Sequence, residues 1–254
     1  MTDTHNSLVT GQFGPRADAY VESAVHARGD DLVALDGLAA RTKPAHALDL
    51  GCGGGHVAYL LAKHAAEVTA VDLSADMLAA VTKTAEAKGL RNIRTRQASV
   101  ESLNFADASF DFVASRYSAH HWHDFEGGLR EARRVIRPGA AAVFLDAFAP
   151  GAALLDTHLQ AIELLRDTSH VRDYTLAEWS ASLARAGFAV GNVRTWRLHL
   201  DFSSWIARMR TPDILVAAIK ALHAAAPREV RAHYAIEADG SFTIDTMMIE
   251  TLAV

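Results

Sequence analysis

The chain has 254 residues, of which 50% are hydrophobic and 22% are charged. These proportions are ordinary for a folded domain and exclude the low hydrophobicity and high charge that characterise disordered chains. The formal net charge of -5 gives no general attraction to phosphate backbones or anionic lipid, so we expect neither nucleic acid nor a membrane surface as a partner.

Cysteine content and hydropathy restrict the class further. Cys52 is the only cysteine, which rules out an intrachain disulfide and a cysteine-based zinc site. The first 20 residues lack the apolar stretch of a signal peptide. No later segment reaches the roughly 18 apolar residues of a membrane-spanning helix. We therefore expect a cytoplasmic protein with no membrane span and, from its length, one domain over residues 1–254.

The first half of the chain alternates between strand and helix patterns. After a polar start, residues 17–29 and 31–40 have helical apolar spacing and predict two leading helices. Five strands are then predicted, at His46–Leu50, Glu67–Asp72, 93–98, 110–115 and 140–147. Helices are predicted between them, from His56, from Ser74 to Gly89 and over 124–135. Such alternation predicts a parallel sheet with helices on both faces.

The second half adds two strands and two long connections. Thr175 and Glu178 form a capping-box pattern that predicts a helix ending at Gly187. Strands are predicted at Phe188–Leu200 and 242–252, with a further helix beginning near Pro212. Outside a core of about residues 45–147, we expect the leading helices and residues 150–174 and 203–241 to form a lid and substrate walls.

A glycine-rich turn carries the strongest functional signal. It joins the first strand to the following helix and reads Asp49-Leu50-Gly51-Cys52-Gly53-Gly54-Gly55-His56. Ligands of doubly wound sheets bind beyond the carboxyl ends of the strands, beside helix N-termini, and glycines allow the backbone to approach them closely. His56 stands where a dinucleotide fingerprint requires its third glycine, which disfavours an NAD-dependent oxidoreductase.

Asp72 ends the second predicted strand, 21 positions after Gly51. In folds of this type a carboxylate at that place binds the ribose hydroxyls of a nucleotide. A purely structural role for the glycines and for Asp72 is the alternative. Their combination favours a nucleotide-like cofactor.

These motifs resemble those of the class I S-adenosylmethionine-dependent methyltransferases, in particular the ubiquinone/menaquinone C-methyltransferases. The similarity spans roughly residues 45–147. It rests on the glycine-rich turn and on four further segments, which are Val71-Asp72-Leu73-Ser74 with Met77-Leu78, Glu101-Ser102-Leu103-Asn104-Phe105, Ser109-Phe110-Asp111 and Arg134-Val135-Ile136-Arg137-Pro138-Gly139. The resemblance implies a Rossmann-like α/β fold, doubly wound, with seven mostly parallel strands, an antiparallel last strand and helical lid insertions.

The resemblance also implies a set of cofactor-binding residues. Gly51 and Gly53 would lie under the methionine part, Asp49 would orient the loop or reach the amino group, and Asp72 would hold the ribose. The remaining positions are Cys52 as a small residue beside the cofactor, Leu73 and Met77 around adenine, Ser99 in place of the family's usual acidic residue, Val100, Glu101, Ser115, Arg116 and, on a leading helix, Tyr20.

The segment after the fourth strand is the expected place of catalysis. His120 and His121 are predicted as catalytic residues because an imidazole titrates near neutral pH and can act as a general base. The alternative is that one histidine packs as a lid over the cofactor. Three histidines among residues 120–123 also raise the question of a metal, but no second cluster of ligands is evident and we expect none.

Other polar residues have weaker assignments. Tyr20 and His26 either close over the methionine end or only pack. Asp146 either faces substrate or caps a turn, and Arg208 and Arg210, with Trp205, either bind an anionic acceptor or lie on a solvated helix. We expect S-adenosylmethionine-dependent methyl transfer to a small-molecule acceptor, with a non-catalytic S-adenosylmethionine-binding protein as the alternative. The acceptor, the methylated atom and the oligomeric state stay open.

Overall fold

The computed structural model describes residues 4–14 and 29–254. Its centre is a seven-stranded sheet with the strand order β3-β2-β1-β4-β5-β7-β6. The strands are β1 His46–Leu50, β2 Glu67–Asp72, β3 Ile93–Gln97, β4 Phe110–Arg116, β5 Ile136–Ala147, β6 Phe188–Leu200 and β7 Phe242–Ala253.

The pairing of the strands confirms the predicted topology. β1 pairs in parallel with β2 and β4, while β3 and β5 extend the sheet in parallel on either side. β7 runs antiparallel between β5 and β6. The strand order reverses on the two sides of β1, so the carboxyl ends of β1 and β4 flank the crevice where ligands of doubly wound sheets bind.

Helices cover the sheet, and several of them begin at a residue whose side chain caps the first turn. They are α1 His5–Phe13, α2 Asp30–Thr42, α3 His56–Leu61, α4 Ala75–Ala87, α5 Phe125–Val135, α6 Ala153–Arg166, α7 Leu176–Ala186, α8 Phe202–Met209, α9 Asp213–Ala225 and α10 Arg228–His233. The Ser74 side chain accepts from the N–H of Met77 at the start of α4. The capping box of Thr175 and Glu178 begins α7, and Gly187 ends it in the left-handed conformation, as predicted.

Alternating burial along the strands builds a core on each face of the sheet. Leu48 and Leu50 of β1 pack into one cluster with α5 and α7, while Ala47 packs into the other with α2 and α3. A third cluster joins α6, α8 and the nearby ends of β6 and β7, around the buried rings of Trp205 and Phe242. This third cluster fixes the two long connections against the sheet.

Two features differ from the sequence prediction. β5 begins four residues early, at Ile136, because residues 137–139 form an irregular stretch of the strand opposite Phe110 rather than a separate turn. Helix α1 was not expected, since its apolar residues are few, yet Thr4 caps it. The predicted helix at 17–29 lies almost entirely outside the described residues. Within the described ranges, no helix is long and apolar enough to cross a bilayer.

Candidate active site

One cavity opens at the carboxyl ends of β1, β2, β4 and β5, where the topology predicts it. It is lined both by the glycine-rich turn and by the turn after β4. The long connections contribute as well, since α6, the segment after it and α8 form part of the wall. The cavity therefore joins the predicted cofactor residues to the predicted catalytic residues.

The glycine-rich turn leaves open space beside Gly53. Gly51 and Gly53 both have positive φ, +66° and +46°, a backbone conformation that favours glycine. A Cβ on Gly53 would meet no heavy atom within 4 Å, whereas one on Gly51 would overlap the Ser118 hydroxyl. Gly51 thus lets the turn approach the segment after β4, and Gly53 leaves room for a ligand.

Asp49 presents an unsatisfied oxygen to this cavity. The residue is 1% exposed and its Oδ2 accepts from the N–H of Ala58 at 2.9 Å. Its Oδ1 has no hydrogen-bond partner among the described residues. Burial raises the pKa of Asp49 to about 7. A buried carboxylate oxygen with no donor fits a cationic amino group, such as that of a bound methionine moiety.

Asp72 fastens the glycine-rich turn to the end of β2. Its Oδ2 accepts from the N–H of Gly53 and its Oδ1 from the N–H of Ser74, both at 2.9 Å. Burial raises the pKa of Asp72. Leu73 and Met77 follow it and line the same part of the cavity, so the ribose and adenine residues implied by the resemblance lie together.

Of the remaining predicted cofactor residues, some line the cavity and others do not. The cavity is lined by Cys52, Val100, Glu101 and Arg116 but not by Ser99 or Ser115. The Ser99 hydroxyl donates to Glu101, and the buried Ser115 hydroxyl donates to the carbonyl of Leu50 at 3.0 Å. Tyr20 and His26 lie outside the described residues.

The surroundings of Cys52 and Arg116 restrict the roles that these two lining residues can have. Burial raises the pKa of the Cys52 thiol, which favours a small neutral residue beside the cofactor over a nucleophile. Arg116 forms an ion pair with Asp31 of α2, with Nε 2.6 Å from Oδ2 and side chains only 4% and 10% exposed. This buried pair anchors α2 at the cavity edge.

His120 is held by a carboxylate from the neighbouring strand. Its Nδ1 donates to Asp146 Oδ1 at 2.6 Å. Asp146 also accepts from the N–H groups of Ala119 and Ala147, at 3.0 and 2.9 Å. Burial disfavours the protonated imidazole, but the charge and hydrogen bond of Asp146 outweigh it and raise the pKa of His120 to about 9. At neutral pH His120 is cationic.

His121 has the opposite protonation. Its Nδ1 donates to the carbonyl of Ser169 at 3.1 Å, which leaves the lone pair on Nε2. Burial, and then the positive charge of His120, lower the pKa of His121 to about 4. Helix α1 covers this residue, because His5 donates to its carbonyl at 2.8 Å and the Phe13 ring packs edge-on at 4.9 Å.

Several lining residues were missed by the sequence analysis. They come from α1 and from α6 with the segment after it: Asn6, Val9, Phe13, Glu163, Arg166, Asp167 and Asp173. The density of charged residues in 163–173 was the available signal. Of the three residues considered for an anionic acceptor, Trp205 and Arg208 line the cavity, whereas Arg210 ends α8 and does not.

The fold brings three possible metal ligands together. His120, Asp146 and Asp173 place potential ligand atoms within 4.8 Å of one another, which supplies the second ligand cluster that the sequence did not reveal. Three N–H donors already occupy the oxygens of Asp146, a pattern typical of a carboxylate that orients a histidine. The absence of a metal stays a prediction.

Comparisons with known proteins agree with this geometry. A family model described as a methyltransferase domain matches residues 48–144. The chain is 48% identical over 200 residues to the Escherichia coli (strain K12) protein YafE, covering 79% of this chain and 97% of YafE. It is 35% identical over 204 residues to the methyltransferase YcgJ of Bacillus subtilis (strain 168), covering 79% of each. The crystal structure of YcgJ superimposes with a TM-score of 0.84 at 30% identity, over 88% of this chain and 98% of YcgJ.

Demethylmenaquinone methyltransferase of Thermus thermophilus is a further relative, 37% identical over 111 residues, with 43% of this chain and 50% of that protein covered. It supports the similarity to the quinone-methylating branch. Motifs, topology and relatives point to one family. The chain therefore belongs to the class I S-adenosylmethionine-dependent methyltransferases.

Proposed function

We propose that this enzyme transfers a methyl group from S-adenosylmethionine to a small-molecule acceptor bound at the histidine end of the cavity. The observation that carries the proposal is the continuity of one cavity from the glycine-rich turn to His120 and His121. A protein that only stored or sensed the cofactor would have no need for His120, His121 and Asp173 in the lining of the same cavity.

The residues at the glycine-rich end fit the cofactor. We assign Asp49 Oδ1 to the amino group of the methionine moiety, since this buried oxygen lacks a donor among the described residues. The space beside Gly53 is assigned to the cofactor itself, and Asp72 to its ribose. S-adenosylmethionine supplies, when bound, a methyl group already activated by the sulfonium charge.

The protein's own contribution is to place the acceptor and to handle its proton. Holding two reacting groups in near-attack geometry contributes about 7–11 kcal/mol to lowering a barrier. His121 is the better candidate for a general base at neutral pH, because its low pKa leaves Nε2 unprotonated. His120, fixed by Asp146, keeps its proton and positions the turn. If the acceptor loses no proton, His121 acts as a lid instead.

Calorimetry and turnover test the proposal in sequence. We expect S-adenosylmethionine and S-adenosylhomocysteine to bind with micromolar dissociation constants, and no heat up to about 1 mM would refute cofactor use. Incubation with S-adenosylmethionine and fractionated cell extract should then release S-adenosylhomocysteine. Binding without release from any fraction would favour the non-catalytic alternative.

Substitution of each histidine separates base from lid. His121→Ala should lower the single-turnover rate about 10²- to 10⁴-fold with nearly unchanged S-adenosylhomocysteine affinity if His121 is the base. A parallel loss of rate and affinity would indicate a lid. If His121→Ala matches the unmodified enzyme in both measurements, the residue has neither role.

A further inference from the structure

We propose that the methyl acceptor carries a protonated amine, which Asp167 and Asp173 bind at the far end of the cavity, and an apolar body. This inference rests on the proposed function, since it names the chemical class of the molecule that receives the methyl group. It starts from two carboxylates that the sequence analysis did not single out.

Asp167 and Asp173 are buried and each has an unsatisfied oxygen. Both are 2% exposed and both line the cavity. In the described part of the chain, Oδ2 of each has no hydrogen-bond partner. Buried carboxylate oxygens are nearly always paired, because an unpaired one loses its hydration without compensation. Two such oxygens at one end of a cavity indicate a ligand that donates hydrogen bonds.

Local hydrogen bonds hold the Asp167 carboxylate and the backbone of Asp173 in place without using the spare oxygens. Asp167 Oδ1 accepts from the N–H and the hydroxyl of Ser169, at 2.9 and 2.6 Å. The N–H of Asp173 donates to Gln160 Oε1 and its carbonyl accepts from Gln160 Nε2. The remaining oxygens are thus presented by a preorganised frame, and preorganisation lowers the entropic cost of binding.

In the described part of the chain, none of the neighbouring cations donates a hydrogen bond to these two oxygens. The Nδ1–H of His120 is directed at Asp146, 2.6 Å away, and the negative charge of Asp146 compensates that of the imidazolium. Arg166 lies 3.4 Å from Glu163, and its Nε donates to the carbonyl of Trp205 at 3.1 Å. His121 Nε2 lies 4.0 Å from Asp167 Oδ2, and it carries no proton in the neutral tautomer described above.

The excess of acid favours a cation over a neutral donor. Burial raises the pKa of Asp173 well above its usual range, and the carboxylates of Glu163 and Asp146 raise it against the opposing charge of His120. A carboxyl group in this position gains from a nearby positive charge, which restores its ionised form. An ammonium group supplies that charge and up to three N–H donors.

Apolar side chains line another part of the cavity wall, and they indicate what the rest of the acceptor molecule is like. It consists of apolar side chains from β6, β7 and α8: Leu198, Leu200, Trp205 and Ile244. Burying an apolar body there is favourable by about 25 cal/mol per Å². The geometry therefore fits an amphiphilic amine with an aromatic or aliphatic body, rather than a small anion or a sugar.

Three probes of similar shape test this inference on enzyme saturated with S-adenosylhomocysteine. We would measure the binding of phenethylamine, phenethyl alcohol and hydrocinnamate by calorimetry. Phenethylamine should bind at least about tenfold more tightly than the alcohol, the size of one charge-assisted hydrogen bond, and hydrocinnamate should bind most weakly. Asp167→Asn and Asp173→Asn should each reduce this preference, because the amide removes the negative charge with little change in shape.

Glu237→Gln is the matched control, since Glu237 is an exposed carboxylate paired with His199 at 3.0 Å. It should leave the preference intact. Equal binding of amine and alcohol, tighter binding of hydrocinnamate, a preference unchanged in both aspartate variants, or no amine binding up to about 10 mM would each overturn the inference. If the wild-type enzyme does not bind S-adenosylhomocysteine at all, the proposed function is refuted, and this inference with it.

Discussion

Replacing Gly53 with Ala tests whether the cofactor occupies the glycine-rich turn. Gly53 has a φ of +46°, and a Cβ there would project into open space with no heavy atom within 4 Å. Gly89, which follows α4, has a φ of +70° and equally open surroundings. Gly89 does not line the cavity. The two substitutions therefore add the same methyl group to similar backbone, and only one of them adds it to the ligand site.

Both substitutions should lower the stability of the fold, and only Gly53→Ala should also lower the affinity for the ligand. Left-handed backbone costs a residue with a Cβ about 1–2 kcal/mol, so both variants should lose stability by this amount. For a chain of this size that corresponds to a fall in Tm of about 2–8 °C. Crowding a bound ligand with one methyl group costs about 1–3 kcal/mol, or roughly 5- to 150-fold in Kd, and only Gly53→Ala should show it.

Thermal unfolding without ligand and calorimetry with S-adenosylhomocysteine measure the two parts independently. We expect similar Tm values for the two variants and a weakened Kd for Gly53→Ala alone. Equal affinities would place the methionine moiety away from this turn and refute the assignment. If Gly89→Ala lost affinity as well, the effect would reflect general destabilisation.

Three further outcomes follow from the contacts of the site. Asp72→Ala should weaken S-adenosylhomocysteine binding at least about tenfold and also lower Tm, because two backbone N–H donors lose their acceptor along with the ribose; an unchanged Kd would contradict this. Ser99→Ala should change the binding free energy by less than about 1 kcal/mol, since Ser99 does not line the cavity and its hydroxyl already donates to Glu101. Despite burial, Asp146 holds the pKa of His120 at about 9, above the value of about 6.5 in the unfolded chain. The wild-type protein should therefore be more stable than His120→Gln below about pH 6.5, and this difference in the free energy of unfolding should disappear as pH rises through about 9. Urea unfolding across this range measures it, and a constant difference would show that His120 is neutral in the fold.

The fold was accessible from the sequence because its signals are local. Strand and helix alternation, the Ser74 cap and the Thr175 capping box each lie within a few residues and were confirmed. The glycine-rich turn and Asp72 were also readable, since parallel strands bring their carboxyl ends to one edge. Motif spacing and topology carried this part of the prediction.

The acceptor end was less accessible because its contacts are long-range. Asp146 meets His120 across 26 positions, and Ser169 meets His121 across 48. Nothing in the local pattern around Asp167 or Asp173 indicates that their spare oxygens reach the same cavity as the histidines. Helix α1 was missed for the same reason, since its contacts with His121 cross more than a hundred residues.

The contrast between His120 and His121 shows how the fold creates chemistry that the dipeptide lacks. Free in solution the two imidazoles would titrate almost together, near pH 6.5. β5 pairs in parallel with β4, which brings Asp146 to the residues following β4 and fixes the proton on His120. The resulting charge, together with burial, lowers the pKa of His121. Because Asp146 balances the positive charge on His120, the sulfonium and ammonium groups that we propose would meet no uncompensated charge there, and His121 would still offer one neutral nitrogen to accept a proton.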